Sequence, residues 1–248
     1  MRSCLSKRRP DFPTDRPFAH RGWHGGGLHG GGVSENGMAA FDAAITVGYG
    51  IECDVRASRD GVAFVFHDAT LMRMAGRQEA VAALDAVALD RLTLPDSGAI
   101  PRLSALLARC GGRVPLLVEI KAEGRHVRAV CAAVARDLAA WPDAPVAVMS
   151  FNPWAIRWFV QQRVGQLYGL VVTQQGKGRI RGGIERALAL WLSKPDFLAC
   201  DIRDLPSRLS SRARARGLPV LTWTVRSAAD RARASSHADQ IIFEHSHG

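Results

Sequence analysis

No apolar run in the sequence reaches the roughly 18 residues that a helix needs to cross a bilayer, so no stable membrane insertion is expected. The first ten residues, Met1 to Pro10, are basic and carry no apolar stretch, which argues against a secretory signal. Cysteine is sparse: Cys4, Cys53, Cys110, Cys131 and Cys200 are odd in number, scattered, and never form C-x-x-C. That pattern predicts free thiols and a cytoplasmic protein. Zinc-finger spacing and RNP-like aromatic stretches are both missing, so the net charge of +10 is not read as a nucleic-acid signal. The arginines are dispersed, and the densest run (Arg212, Arg214, Arg216) alternates with alanine along what reads as a solvated helix face. Attraction of an anionic small-molecule substrate is the remaining use for the charge. Linkers, low-complexity tracts and repeats are absent too, and the oligomeric state is left open.

What is present fits one large core. With 248 residues and 47% hydrophobic content, the chain can form a single α/β domain. Eight short apolar or β-branched runs read as strands: Phe18–His20, Gly50–Val55, Leu116–Lys121, Val146–Phe151, Leu167–Val172, Phe197–Ile202, Val220–Val225 and Gln240–Glu244. Amphipathic stretches lie between them. One runs from about Asn36 to Val47 with Met38, Phe41 and Ile45 on one stripe, one from Leu103 to Cys110, and one from His126 to Trp141. Alternating strands and helices imply parallel β/α units, and eight such units in this length predict a closed (β/α)8 TIM-like barrel. Val62 to His67 follows Val55 too soon for a parallel crossover, so it is expected to be the return arm of a small hairpin at the barrel mouth. Residues 1–16 are expected to be a basic extension and 17–248 the barrel domain.

Polar residues sit at the ends of these strands. Glu52 and Asp54 are two apart, as are Glu119 and Lys121, so each pair leaves one face of its strand while the other face is apolar. Carboxylates pointing inward from buried strands are costly unless paired or bound to a cation. A structural ion pair between Glu119 and Lys121 is the plain alternative. Three carboxylates at the carboxyl rim of a barrel, where barrel sites are built, favour a bound ion instead. An all-oxygen set suits one divalent metal, Mg²⁺ or Ca²⁺, and argues against zinc.

His20 precedes Arg21, and His67 precedes Asp68, each at a strand end. An imidazole pKa near ~6.5 lets two histidines serve as base and acid near neutrality. His24, His29, His126, His245 and His247 lack such surroundings and are expected on the surface. Gly25-Gly26-Gly27-Leu28-His29-Gly30 matches G-x-G-x-x-G and has acids some twenty residues later, but the next helix opens too late for a dinucleotide fingerprint. A glycine-rich loop at the barrel mouth, over Gly25 to Gly32, is the better reading.

In order along the chain stand His20-Arg21-Gly22, Ser34-Glu35-Asn36-Gly37, Glu52-Cys53-Asp54-Val55, Asp60-Gly61, His67-Asp68, Ile100-Pro101, Glu119-Ile120-Lys121 and Trp223-Thr224-Val225. This succession, over roughly 17 to 244, resembles the glycerophosphodiester phosphodiesterase family. Two departures flank the site: the H-R-G to E-N gap carries a glycine-rich insertion, and Ser34 and Gly37 replace the usual proline and threonine. The resemblance implies a TIM-like barrel with a divalent metal on Glu52, Asp54 and Glu119. It implies His20 as general base, His67 as general acid, and Arg21 and Lys121 at the phosphate. Trp223 is placed either against the substrate alcohol or in the core. The implied reaction releases sn-glycerol 3-phosphate and an alcohol from glycerophosphodiesters. The alternatives are a lysophospholipase D-type activity, which needs an apolar lip that the loop supplies only through Trp23 and Leu28, and a barrel that merely binds anions. The chain lacks a long insertion after His67-Asp68, so no separate capping subdomain is expected.

Overall fold

The computed structural model describes residues 12–25, 32–96, 98–162, 166–176 and 178–244. The expectations for Cys4, His29, His245, His247, most of the Gly25–Gly32 loop and the first eleven residues lie outside that range. Nine strands are described: β1 (Phe18–Ala19), β2 (Gly50–Ala57), β3 (Ala63–Val65), β4 (Leu116–Ile120), β5 (Val146–Ser150), β6 (Leu167–Val172), β7 (Phe197–Asp201), β8 (Val220–Val225) and β9 (Gln240–Phe243). All but β3 run parallel, in the order β1-β9-β8-β7-β6-β5-β4-β2, and the pairing of β1 with β2 closes the ring. This is the eight-stranded TIM-type barrel expected from the sequence. The helices are α1 (Met38–Val47), α2 (Met72–Ala75), α3 (Ala86–Asp90), α4 (Leu103–Cys110), α5 (Arg128–Ala139), α6 (Pro153–Gln162), α7 (Arg179–Ser193), α8 (Arg208–Ala215) and α9 (Ala228–His237). Among the described residues no helix is long and apolar enough to cross a membrane.

The barrel strands are apolar on both faces because both are covered. Outward residues such as Ile51, Cys53, Val55, Val118 and Ile120 join a large core with the helices. The inward layer is a separate cluster around Phe18, Leu117, Ala147, Phe197 and Leu221. Small residues oppose large ones there. A Cβ on Gly169 would lie 2.3 Å from the Phe197 ring, its register partner on β7, so this layer closes only with glycine at that place.

β3 is the predicted return arm. It pairs antiparallel with the end of β2, Val55 opposite Val65 and Ala57 opposite Ala63. Beyond it a satellite cluster of Phe64, Phe66, Leu71, Val81, Leu89, Leu94 and Ile100 gathers the short helices α2 and α3. Among the described residues, none from 69–101 lines the cleft described below.

Candidate active site

The site is built at the carboxyl ends of the barrel strands, where residues leaving the inward face have no further layer to pack against. Glu52 and Asp54 leave β2 on the side opposite Cys53 and Val55, and Asp54 is in register with Glu119 on β4. All three carboxylates are buried, and one oxygen from each lies within 4.8 Å of the others. Lys121 Nζ stands 2.9 Å from Asp54 Oδ1 and bonds Glu119. Arg21 Nε is 3.1 Å from Asp54 Oδ2, and its backbone N–H donates to Glu52 Oε2 at 3.1 Å. Glu52 Oε1 is buried and has no hydrogen-bond partner.

Three negative charges thus face two positive ones. Burial, followed by repulsion from Asp54 and Glu119, pushes the Glu52 pKa well above the usual carboxylate range. Burial and Asp54 also raise Glu119, against the opposing pull of Lys121. Asp54 behaves oppositely, because Lys121 and Arg21 outweigh burial and hold its carboxyl low. In the same way the carboxylates outweigh burial at Lys121 and Arg21 and keep both firmly charged. A buried acid with an orphaned oxygen and two acidic neighbours is short of one cation. The all-oxygen donor set therefore fits Mg²⁺ or Ca²⁺.

Arg21 holds a left-handed φ of +56°, a conformation that costs a non-glycine residue of the order of 1 kcal/mol or more. The turn is forced by its neighbour: Gly22 has φ +80°, and a Cβ there would sit 2.9 Å from the backbone and side chain of Ala40 and from the Phe41 ring. The H-R-G turn is thereby pressed onto α1, and Arg21 is aimed at the acids. Asn36 also has φ +56°. Its side-chain amide donates to Asp54 Oδ2 at 2.9 Å while its Oδ1 accepts the Asp54 N–H at 3.3 Å. This bond is why α1 begins at Met38 rather than at Asn36.

Both histidines line the same cleft of about 380 Å³, together with Arg21, Lys121, Phe151 and Trp223. Each is backed by a carboxylate. His20 Nδ1 is 2.6 Å from Glu244 Oε1, and His67 Nδ1 is 2.7 Å from Asp68 Oδ1. Nδ1–H donates in both, which leaves Nε2 as the basic nitrogen; His20 Nε2 lies 3.9 Å from Glu52 Oε2. Burial lowers the His67 pKa below its ordinary value, although Asp54 pulls the other way. Arg73 and His67 outweigh burial at Asp68 and hold it at about 2.

Sequence reasoning missed several participants. Glu244, just past β9, accepts from His20 and from Arg226, whose Nε and Nη2 stand 2.5 and 2.9 Å away. It lies 224 residues from His20, and only barrel closure makes them neighbours. Glu35 takes Arg21 Nη1 at 2.9 Å and Arg73 Nη2 at 2.6 Å, and Arg73 Nε reaches Asp68 Oδ2 at 2.7 Å. A chain of alternating charge thus runs from Arg21 to His67. Phe151, 43% exposed, meets Trp223 edge-on at 5.4 Å and forms an aromatic wall. Trp223 lines the cleft and donates its indole N–H to Ala199 O at 3.0 Å. Two expectations need correction. His24 is not a surface residue; burial lowers its pKa and its Nε2 is enclosed beside His20 and Glu244. Trp23 is no part of a lip, because it packs on Tyr49 at 5.3 Å against the main core. Leu28 lies outside the described residues. His126 is exposed, as expected.

Fold and site define a TIM-type barrel with an acidic, cation-edged pocket at its carboxyl rim. The chain belongs to the Glycerophosphoryl diester phosphodiesterase family, whose pattern it matches over residues 20–244. A Mycobacterium tuberculosis protein named "Probable glycerophosphodiester phosphodiesterase 2" is 42% identical over 73 residues, a stretch that spans 29% of this chain and only 28% of that protein. Among solved structures, an Oleispira antarctica phosphodiesterase in complex with the product sn-glycerol-3-phosphate is similar at TM-score 0.77, 22% identity and 91% of each chain. A glycerophosphodiester phosphodiesterase from Parabacteroides distasonis is similar at TM-score 0.75, 19% identity and 92% of each chain. At these identities the structural likeness is one of fold.

Proposed function

We propose that the chain hydrolyses glycerophosphodiesters to sn-glycerol 3-phosphate and an alcohol. The observation that carries this reading is the pairing of the cation-deficient triad Glu52, Asp54 and Glu119 with two carboxylate-backed histidines in one cleft. The relatives' names, and the product bound by the Oleispira protein, support the same substrate class.

The triad would hold one Mg²⁺ or Ca²⁺, which when bound supplies positive charge against the phosphoryl oxygens. Arg21 and Lys121 bind and orient the phosphate from fixed positions, where preorganised charge stabilises the negative charge that builds up in the transition state. His20, with Nδ1–H given to Glu244, takes the proton of the attacking hydroxyl at Nε2. That hydroxyl belongs either to water or to the glycerol C2, the latter giving a cyclic phosphate that water then opens. His67 gives a proton to the departing alkoxide, so the alcohol leaves neutral. The bound diester's negative charge favours the protonated form of His67, against the burial that lowers its pKa. Trp223 would lie against the alcohol. The aromatic wall of Phe151 and Trp223 also favours a second reading, lysophospholipase D-type cleavage, in which an acyl chain or choline rests on the rings.

The test is release of sn-glycerol 3-phosphate from glycerophosphocholine and glycerophosphoethanolamine with Mg²⁺, Ca²⁺ or chelator. Metal-dependent release is expected, and His20→Ala and His67→Ala should each lose about 10²–10⁴-fold in rate. Release of choline and lysophosphatidate from lysophosphatidylcholine, with no sn-glycerol 3-phosphate from either glycerophosphodiester, would select the second reading. No release from any diester would reduce the protein to an anion-binding barrel.

A further inference from the structure

Among the described residues, most large exposed apolar side chains stand singly: Val47 on α1, Met72 on α2, Val87 on α3, Phe151 in the cleft. Helix α7 differs. Ile184, Leu188 and Trp191 are 58%, 60% and 71% exposed. At spacings of four and three residues they form one stripe, with exposed Ala187 between them. The stripe is roughly 10 Å long. The opposite side of the helix packs on α6 and β6, so the stripe is surplus to the core.

Charge indicates what covers it. Arg181 stands three residues before Ile184 and Lys194 three residues after Trp191, both exposed. The helix contains one acid, Glu185, which is taken by Arg181 at 3.0 Å. Suppose a second copy packed here antiparallel about a two-fold axis. The axis would pass between Ala187 and Leu188, from which Arg181 and Lys194 are equally distant in sequence. Arg181 would then meet Lys194 of the second copy at both ends, cation against cation. The chain as a whole repels its own copies through a net charge of +10. An anionic phospholipid surface reverses both objections: it attracts the flanking cations and the net charge, and its interface accepts tryptophan and leucine.

We propose that the outer face of α7, through Ile184, Leu188 and Trp191 flanked by Arg181 and Lys194, docks this barrel peripherally on anionic membrane surfaces. The docking is independent of the reaction assigned above, and it seats the protein without spanning the bilayer.

Co-sedimentation of the full chain with vesicles tests it. Vesicles of equal parts phosphatidylglycerol and phosphatidylcholine should carry the protein down at low salt and release it at high salt, while phosphatidylcholine vesicles should not bind it. Leu188→Ala with Trp191→Ala should weaken binding about tenfold. Because both side chains are exposed, the variant should keep the parent's circular dichroism and thermal midpoint. Lys194→Glu should weaken vesicle binding about fivefold or more. The same substitution would strengthen an antiparallel self-pairing, because a glutamate would then face Arg181. No binding to the anionic vesicles, or binding untouched by these variants, would overturn the proposal. So would a dimer in solution that the alanine pair disperses and Lys194→Glu tightens.

Discussion

At the scale of single residues, Glu52 is the most exposed to error in the metal-free protein. Its Oε1 has no partner, and burial with two acidic neighbours raises its pKa. A carboxyl whose folded pKa exceeds its unfolded value of about 4.3 favours folding at low pH, and that contribution is lost as pH rises through the folded pKa. Glu52→Gln removes this burden while its amide oxygen can still accept the Arg21 N–H. The variant should hold or raise the thermal midpoint measured in chelator and flatten its dependence on pH. A divalent ion at about a hundred times its dissociation constant should raise the parent's midpoint on the order of 5–10 °C, and the variant's hardly at all. An equal shift in both proteins would place the ion elsewhere. Four charged partners of this pocket were legible in the sequence because strand alternation puts residues two apart on one face: Glu52 with Asp54, Glu119 with Lys121. Glu244 was not legible, since its partner His20 lies at the other end of the chain. Asn36 was visible only as part of a helix start, and nothing local shows that its amide would bond Asp54.

At the scale of elements, all eight barrel strands fell where apolar runs predicted them, and α4 matched its predicted limits. Helix ends were less legible because they respond to tertiary demands. Asn36 leaves the helix to bond Asp54, and α5 begins at Arg128 rather than His126. Packing between strands was not legible at all. Gly169 reads as an ordinary weak point in β6, yet the Phe197 ring fills the space of its missing side chain. Gly169→Ala should therefore destabilise the barrel by about 1–3 kcal/mol through overpacking, measured by urea unfolding. Adding Phe197→Leu should recover part of that loss, giving a favourable coupling in a double-mutant cycle. Additive losses would show that the two positions do not compete for space.

At the scale of the whole molecule, the charge of +10 acts on approach rather than on chemistry. Raising salt from about 0.01 M to about 0.15 M shortens the screening length from roughly 30 Å to 8 Å. The kcat/KM for anionic glycerophosphoinositol should fall severalfold over that range, while that for zwitterionic glycerophosphocholine should change little. Equal slopes would remove steering from the account. The molecule also divides its apolar residues into a barrel with its helices and a satellite layer beyond β3. One proposed proton carrier, His20, follows a barrel strand, and the other, His67, leads into the satellite. The alternating charges of Arg21, Glu35, Arg73 and Asp68 stitch these two bodies together at the rim. Arg73 touches neither the triad nor the cleft, yet it grips the carboxylate behind each working loop. The two halves of the proposed reaction centre are therefore tied together through one side chain: neither loop can be retuned alone, and whatever loosens the satellite is felt by Arg21, the arginine proposed to meet the phosphate.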